Sequence, residues 1–171
     1  RIIHDDVGLL VASLAGMQPN ERPEPLADLG SLSTPEARAA VLGRAAEIAA
    51  GGGSIEAPLA RWFTPDEAET RDQVASWLNA VSQKGYAMAY RAFAEGDMVY
   101  ADRIGEIACP TLVLTADGDA NSTPAMTYAM AGMVQHGQAV VIEGHRHMVN
   151  LTAPRAVSAA LRDWLAEEVT R

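Results

Sequence analysis

The last third of the chain alternates between two textures. Pro110-Thr111-Leu112-Val113-Leu114-Thr115 and Ala139-Val140-Val141-Ile142 are apolar runs of strand length. Between them, Ser122-Thr123-Pro124 opens a helix with Met126, Met130 and Met133 on one side. After the second run, Pro154 opens another helix with Val157, Leu161, Trp164 and Leu165 at inward spacing. A run that is apolar on both of its faces suits a strand buried on both sides. Strands of that kind alternating with helices must be joined by crossovers, so this stretch predicts a parallel βαβ unit and an α/β fold class.

Upstream, Val7-Gly8-Leu9-Leu10-Val11-Ala12-Ser13 is a third such run. The texture then changes. Residues 17–25 carry enough Pro and polar residues to read as a loop. Thr34-Pro35-Glu36 opens a helix with Val41, Leu42, Ala45 and Ile48 at helical spacing, and Gly51-Gly52-Gly53 ends it. Thr64-Pro65-Asp66-Glu67 predicts a stronger helix start, because Thr64 can cap, Pro65 suits the first turn and Glu67 completes a capping box. That helix places Val74, Trp77, Leu78 and Val81 on one stripe, and another runs from about Tyr86 to Ala94. The organisation expected is a core strand in 1–16, a helical segment in 17–103 and a strand–helix segment in 104–171. Three parallel strands with one covering layer absent would expose apolar surface, which predicts marginal stability or association, a homo-oligomer included.

Composition removes several function classes. The chain of 171 residues has a formal net charge of −9. Nucleic acid and anionic membrane surfaces are therefore not expected as partners, since phosphate binding needs clustered Lys and Arg. No apolar run approaches the ~20 residues that span a bilayer. The first residues, Arg1-Ile2-Ile3-His4-Asp5-Asp6, do not make a signal peptide, and the absence of an initial Met hints that the natural start lies elsewhere. A single cysteine, Cys109, cannot form an internal disulfide and fits a reducing, cytoplasmic setting. Next to Pro110 at a strand entry, it reads as a core residue.

The chemistry-bearing residues follow the two late strands. Parallel strands deliver their C-terminal ends to one edge, where open α/β sheets bind ligands. The loop after the first strand is Ala116-Asp117-Gly118-Asp119-Ala120-Asn121-Ser122, and the loop after the second is Glu143-Gly144-His145-Arg146-His147-Met148. An acid and a histidine thus reach the same edge, as needed for a carboxylate to hold an imidazole in its working tautomer. Periodicity leaves open Asp117 or Asp119, and His145 or His147. Spacing on two loops without a tight ligand motif disfavours a metal site. His4 and His136 read as surface residues, the methionine stripe as packing, and the glycines at 51–53 as a joint rather than a phosphate loop.

The stretch Cys-Pro-Thr-Leu-Val-Leu-Thr-Ala-Asp-Gly-Asp-Ala-Asn-Ser-Thr-Pro, with Gly-His-Arg-His-Met-Val-Asn-Leu-Thr-Ala-Pro-Arg-Ala-Val after it, resembles the C-terminal part of the α/β-hydrolase family. Within that family the look is nearest to the 3-oxoadipate enol-lactonase-like esterases, and Arg61-Trp62-Phe63-Thr64-Pro65 resembles their helical cap. The resemblance implies a partial α/β-hydrolase fold, with the N-terminal half of the sheet absent. It implies Asp119 as the orienting acid and His147 as the base. Trp62, Phe63, Trp77 and Met148 are the candidates for packing the cap and lining an apolar substrate pocket. Ala116 stands where the family's turn usually has Gly, and Thr152 where Glu is common.

The family's nucleophile elbow, G-x-S-x-G, is absent from this sequence. Ser13 lacks the flanking glycines and reads as a strand-end residue. In the family's chain order the nucleophile precedes acid and base, so it is expected upstream of Arg1. The function implied is a hydrolase fragment whose parent cleaves a carboxylic ester or lactone of small size, with no cofactor. The same framework serves dehalogenases, haloperoxidases, epoxide hydrolases and acyltransferases, and a non-catalytic binding protein is the alternative outside enzyme chemistry.

Overall fold

A computed structural model describes residues 35–96 and 99–169. The apolar run at 7–13, the loop at 17–25 and Ser13 lie outside the described residues. Among the described residues, four helices come first: α1 (Pro35–Ala49), α2 (Glu56–Trp62), α3 (Ala68–Ala80) and α4 (Gln83–Gly96). A 3-10 turn at Pro65–Glu67 leads into α3, and another at Ala101–Glu106 leads toward the sheet. The order β1 (Thr111–Ala116), α5 (Pro124–Met133), β2 (Gly137–Ile142), α6 (Val149–Thr152), α7 (Pro154–Val169) completes the chain.

β1 and β2 are parallel neighbours, with Thr111 opposite Gly137 and Ala116 opposite Ile142. The crossover helix α5 packs on both strands. The βαβ unit expected from the alternating texture is present. The register is what matters for function: both strands end level, so the loops after Ala116 and Ile142 leave the sheet side by side.

Local chemistry explains most boundaries. The Thr123 hydroxyl accepts from the Met126 N–H at 3.3 Å and Pro124 takes the first turn, so α5 starts there. α1 ends where Gly51 adopts φ 81°, a conformation that glycine enters without strain. Glu67 does accept from the Thr64 N–H, at 2.7 Å, but the turn it closes is a tight 3-10 turn before α3 begins.

Several expected stripes are covered differently. Of the α3 stripe, Val74 is buried and Leu78 half-buried, while Trp77 is 51% exposed and Val81 is exposed. In α5 the buried residues are Thr127 and Ala131, and the methionines are only half-buried. In α7, Val157 and Trp164 are half-buried but Leu161 and Leu165 are exposed. Cys109 is exposed rather than in the core, because it sits in the approach to β1 before the ladder begins. Helical spacing identifies an apolar stripe but not how much of its width a neighbouring element covers.

The tightest core joins the helical segment to the sheet edge. Leu59, Trp62, Phe63 and Val74 form it, with Met148 and Leu151 packed against it. Leu59 is fully buried. Two elements distant in sequence, α2–α3 and the loop after β2, therefore share one hydrophobic cluster. No helix among the described residues is long and apolar enough to cross a membrane.

Candidate active site

The loop after β1 turns back tightly. The Asp117 N–H donates to the Ile142 carbonyl at 3.0 Å, and the Gly118 N–H donates to the His145 carbonyl at 3.0 Å. A Cβ on Gly118 would lie 2.7 Å from that carbonyl oxygen, so the two loops approach as closely as they do only because residue 118 lacks a side chain. The Asp117 carboxylate accepts from the Gly144 N–H at 2.8 Å and remains exposed. Asp117 is thus a strut between loops.

Asp119 is placed differently. Its Oδ1 accepts from the N–H groups of Asn121 (2.7 Å) and Ser122 (2.9 Å), which fixes the carboxylate plane. Its Oδ2 lies 2.9 Å from Nδ1 of His147, with the Thr115 hydroxyl 3.3 Å away. Both the Asp119 and His147 side chains are only 4% exposed. Burial by itself raises the Asp119 carboxyl. The bond and charge of His147 and the two backbone N–H groups outweigh it, and hold the group below the usual carboxylate range. A carboxylate kept ionised beside Nδ1 fixes the proton there. The lone pair is then left on Nε2, which is what a general base needs.

Trp62 packs against the His147 ring, with centroids 5.9 Å apart and planes tilted by 38°. That spacing is within the range of favourable aromatic pairs. Phe63 lies in the core beneath, and Met148 packs against the same cluster. Trp77, by contrast, is exposed on α3. The structure therefore brings Trp62, Phe63 and Met148 to the histidine loop and leaves Trp77 facing outward.

A second carboxylate–histidine pair stands beside the first. His145 Nδ1 is 2.7 Å from Glu67 Oε1 and 2.9 Å from the Thr152 hydroxyl oxygen. The Arg146 guanidinium donates to the carbonyls of Ala60 (2.7 Å) and Phe63 (2.8 Å). Burial raises the Glu67 carboxyl, but hydrogen bonds from the Thr64 N–H, His145, Thr152 and the Thr64 hydroxyl bring it below its ordinary value. None of these links was readable in the sequence, where Glu67 carried a capping signal and His145 stood as the alternative to His147 for the base. Among the described residues, no three His, Cys, Asp or Glu side chains converge as metal ligands would.

No family model matches the chain. A curated relative does, the (E)-2-((N-methylformamido)methylene)succinate hydrolase of Acinetobacter baylyi. It is 52% identical over 134 residues, covering 77% of this chain and 51% of the relative. A thermophilic esterase from Thermogutta terrifontis, solved with malate bound, superposes at TM-score 0.71 with 27% identity, over 78% of this chain and 51% of the esterase. The chain has part of the α/β-hydrolase fold. The enol-lactonase of Burkholderia xenovorans LB400 shares this α/β-hydrolase fold at TM-score 0.60 and 24% identity, over 77% of the chain and 51% of the lactonase. The chain spans about half the length of the relatives it matches.

Proposed function

We propose that this chain supplies the acid–base half of a serine hydrolase acting on a small ester, lactone or related acyl bond. In this reading Asp119 orients His147, and Nε2 of His147 takes the proton of a serine that precedes Arg1 in the full-length protein. The observation that carries it is the buried 2.9 Å contact between Asp119 Oδ2 and His147 Nδ1 at the shared edge of β1 and β2. Removal of the serine proton makes the oxygen nucleophilic, the acyl carbon is attacked, and the proton passes to the leaving group. The imidazolium formed in between is stabilised by the Asp119 carboxylate.

The substrate class can be taken one step further. The Acinetobacter relative is named for a succinate derivative that carries an N-methylformamido group. At 52% identity over 134 residues, this supports a small carboxylate-bearing substrate and admits an acyl–nitrogen bond beside the ester or lactone. Trp62 and Met148 are the apolar side chains proposed to line its site.

The test is kinetic, in the full-length protein, with p-nitrophenyl acetate as a generic ester probe and the named succinate derivative as a specific one. H147Q should lower kcat by a factor of about a thousand or more on whichever compound is turned over. Undiminished turnover in H147Q would overturn the assignment. A G-x-S-x-G sequence upstream would support serine chemistry, and an Asp at the elbow would favour dehalogenase or epoxide chemistry instead.

A further inference from the structure

We infer that Glu67 and His145 are positioning residues for His147, forming a second carboxylate–histidine pair that fixes the loop of the base against the cap. The inference rests on His147 being the base, and it concerns what holds that base in place.

The loop from Gly144 to Met148 is short, yet it is tied to two different bodies. Toward the core it is held through Gly144 to Asp117, through the His145 carbonyl to the Gly118 N–H, and through His147 to Asp119. Toward the cap it is held through His145 to Glu67 and through Arg146 to the carbonyls of Ala60 and Phe63. All three cap atoms lie within residues 60–67, and Trp62 of the same segment packs on the His147 ring. The base is therefore held by its own bond to Asp119, by the three residues that precede it in the loop, and by Trp62 of the cap on its ring.

Glu67 makes the grip specific. Its side chain is 11% exposed and that of His145 27%. A carboxylate withdrawn from water this far needs partners for its oxygens, or desolvation expels it. Here Oε2 takes the Thr64 N–H, at 2.7 Å, and Oε1 takes His145, at 2.7 Å. The residue that starts α3 is thus the residue that holds the loop. The Thr152 hydroxyl, at the end of α6, reaches the same His145 nitrogen. The Glu67–His145–Thr152 cluster consequently touches the chain two residues before His147 and five residues after it. A shift of the cap relative to the sheet pulls on both flanks of the base. Misplacement of a catalytic group by about 1 Å can cost a factor of ~100 in rate.

The experiment is a double-mutant cycle in the full-length protein, read as kcat and KM on the compound that the wild type turns over. Folded protein is quantified by near-ultraviolet circular dichroism. E67A and H145L should each lower kcat by roughly tenfold to a hundredfold, with KM changing far less. The double variant should be no worse than the poorer single, because the two residues act as one unit. H145N, whose amide nitrogen stands close to the place of Nδ1, should recover most of the loss. Amide exchange across residues 144–148 should quicken in E67A, which reports the loop without reference to activity. Wild-type kcat in both single variants would overturn the inference, as would losses that multiply in the double. H145N as inactive as H147Q would also overturn it, by making His145 a proton-transfer group. An active H147Q would instead defeat the assignment of the base, so the two failures are separable.

Discussion

Replacing Asp119 by Asn keeps the shape of the side chain and removes its charge. The Asn oxygen can still accept from the N–H groups of Asn121 and Ser122, now at 2.7 and 2.9 Å from Oδ1. The amide nitrogen then occupies the place of Oδ2, 2.9 Å from Nδ1 of His147, and it only donates. His147 Nδ1 must become the acceptor, which moves the ring proton to Nε2. The nitrogen that should accept the nucleophile's proton already carries one. The expected fall in kcat is about 10⁴, the magnitude of this tautomer fault in serine hydrolases. Stability should fall less. The three bonds that the carboxylate accepts, from Asn121, Ser122 and His147, become bonds to a neutral group, and each falls from about 1.5–3 kcal/mol to about 0.5–1.5 kcal/mol, so a loss of about 2–4 kcal/mol is expected. Asp119→Ala also strands the two backbone donors, at about 1–3 kcal/mol each. It should unfold in markedly less urea than Asp119→Asn. The assay pairs steady-state kinetics of the full-length protein with urea unfolding. A D119N protein that keeps kcat within tenfold of wild type would refute the tautomer argument. A D119A protein as stable as D119N would refute the assignment of the Asn121 and Ser122 bonds.

Asp119 and Glu67 both have folded pKa values below their ordinary ones, so their contribution is fully present above the ordinary carboxylate range and drains away as pH falls through the depressed folded values; acid unfolding followed by circular dichroism should shift to higher pH in E67A, and an unchanged acid transition would contradict the bonds assigned to Glu67. Gly118→Ala puts a methyl 2.7 Å from the His145 carbonyl oxygen, a backbone atom that cannot rotate away, so a loss of about 1–3 kcal/mol with lower kcat is expected; neutral behaviour in thermal melts and kinetics would show that the loops are not in close contact. Trp62→Ala empties much of the core cluster and uncovers the His147 ring, costing about 3–5 kcal/mol, whereas Trp62→Phe should lose far less; equal melting points for the two would contradict the packing.

How much of this was legible in the sequence differs from element to element. The apolar runs at 110–115 and 139–142 show their strand character because a parallel strand is apolar on both faces, and the strands span Thr111–Ala116 and Gly137–Ile142; the intervening Thr123-Pro124 marks a helix start. Strand order then brought the two loops together. Nothing in the periodicity separated Asp117 from Asp119 or His145 from His147, because the difference lies in which way each side chain turns out of a tight loop. Asp117 turns to the Gly144 N–H and Asp119 to His147. Glu67 and His145 were invisible as a pair, since 78 residues separate them and each has a sufficient local reading. Trp77 and Leu165 failed for another reason: helical spacing put them on apolar stripes, but the neighbouring elements cover only part of each stripe. Cys109 was misjudged because residue type favours burial, while its position in the approach to β1 decides exposure.

The central claim is that His147, held by Asp119, activates a serine elsewhere in the full-length protein. Labelling with a fluorophosphonate tests it most directly, because the reagent reacts with a serine only when a base activates it. Wild-type protein should gain one adduct by intact mass, located by peptide mapping on the serine of a G-x-S-x-G sequence, and H147Q should gain essentially none over the same time. Equal labelling of the two proteins, or no labelling of either, would contradict the account.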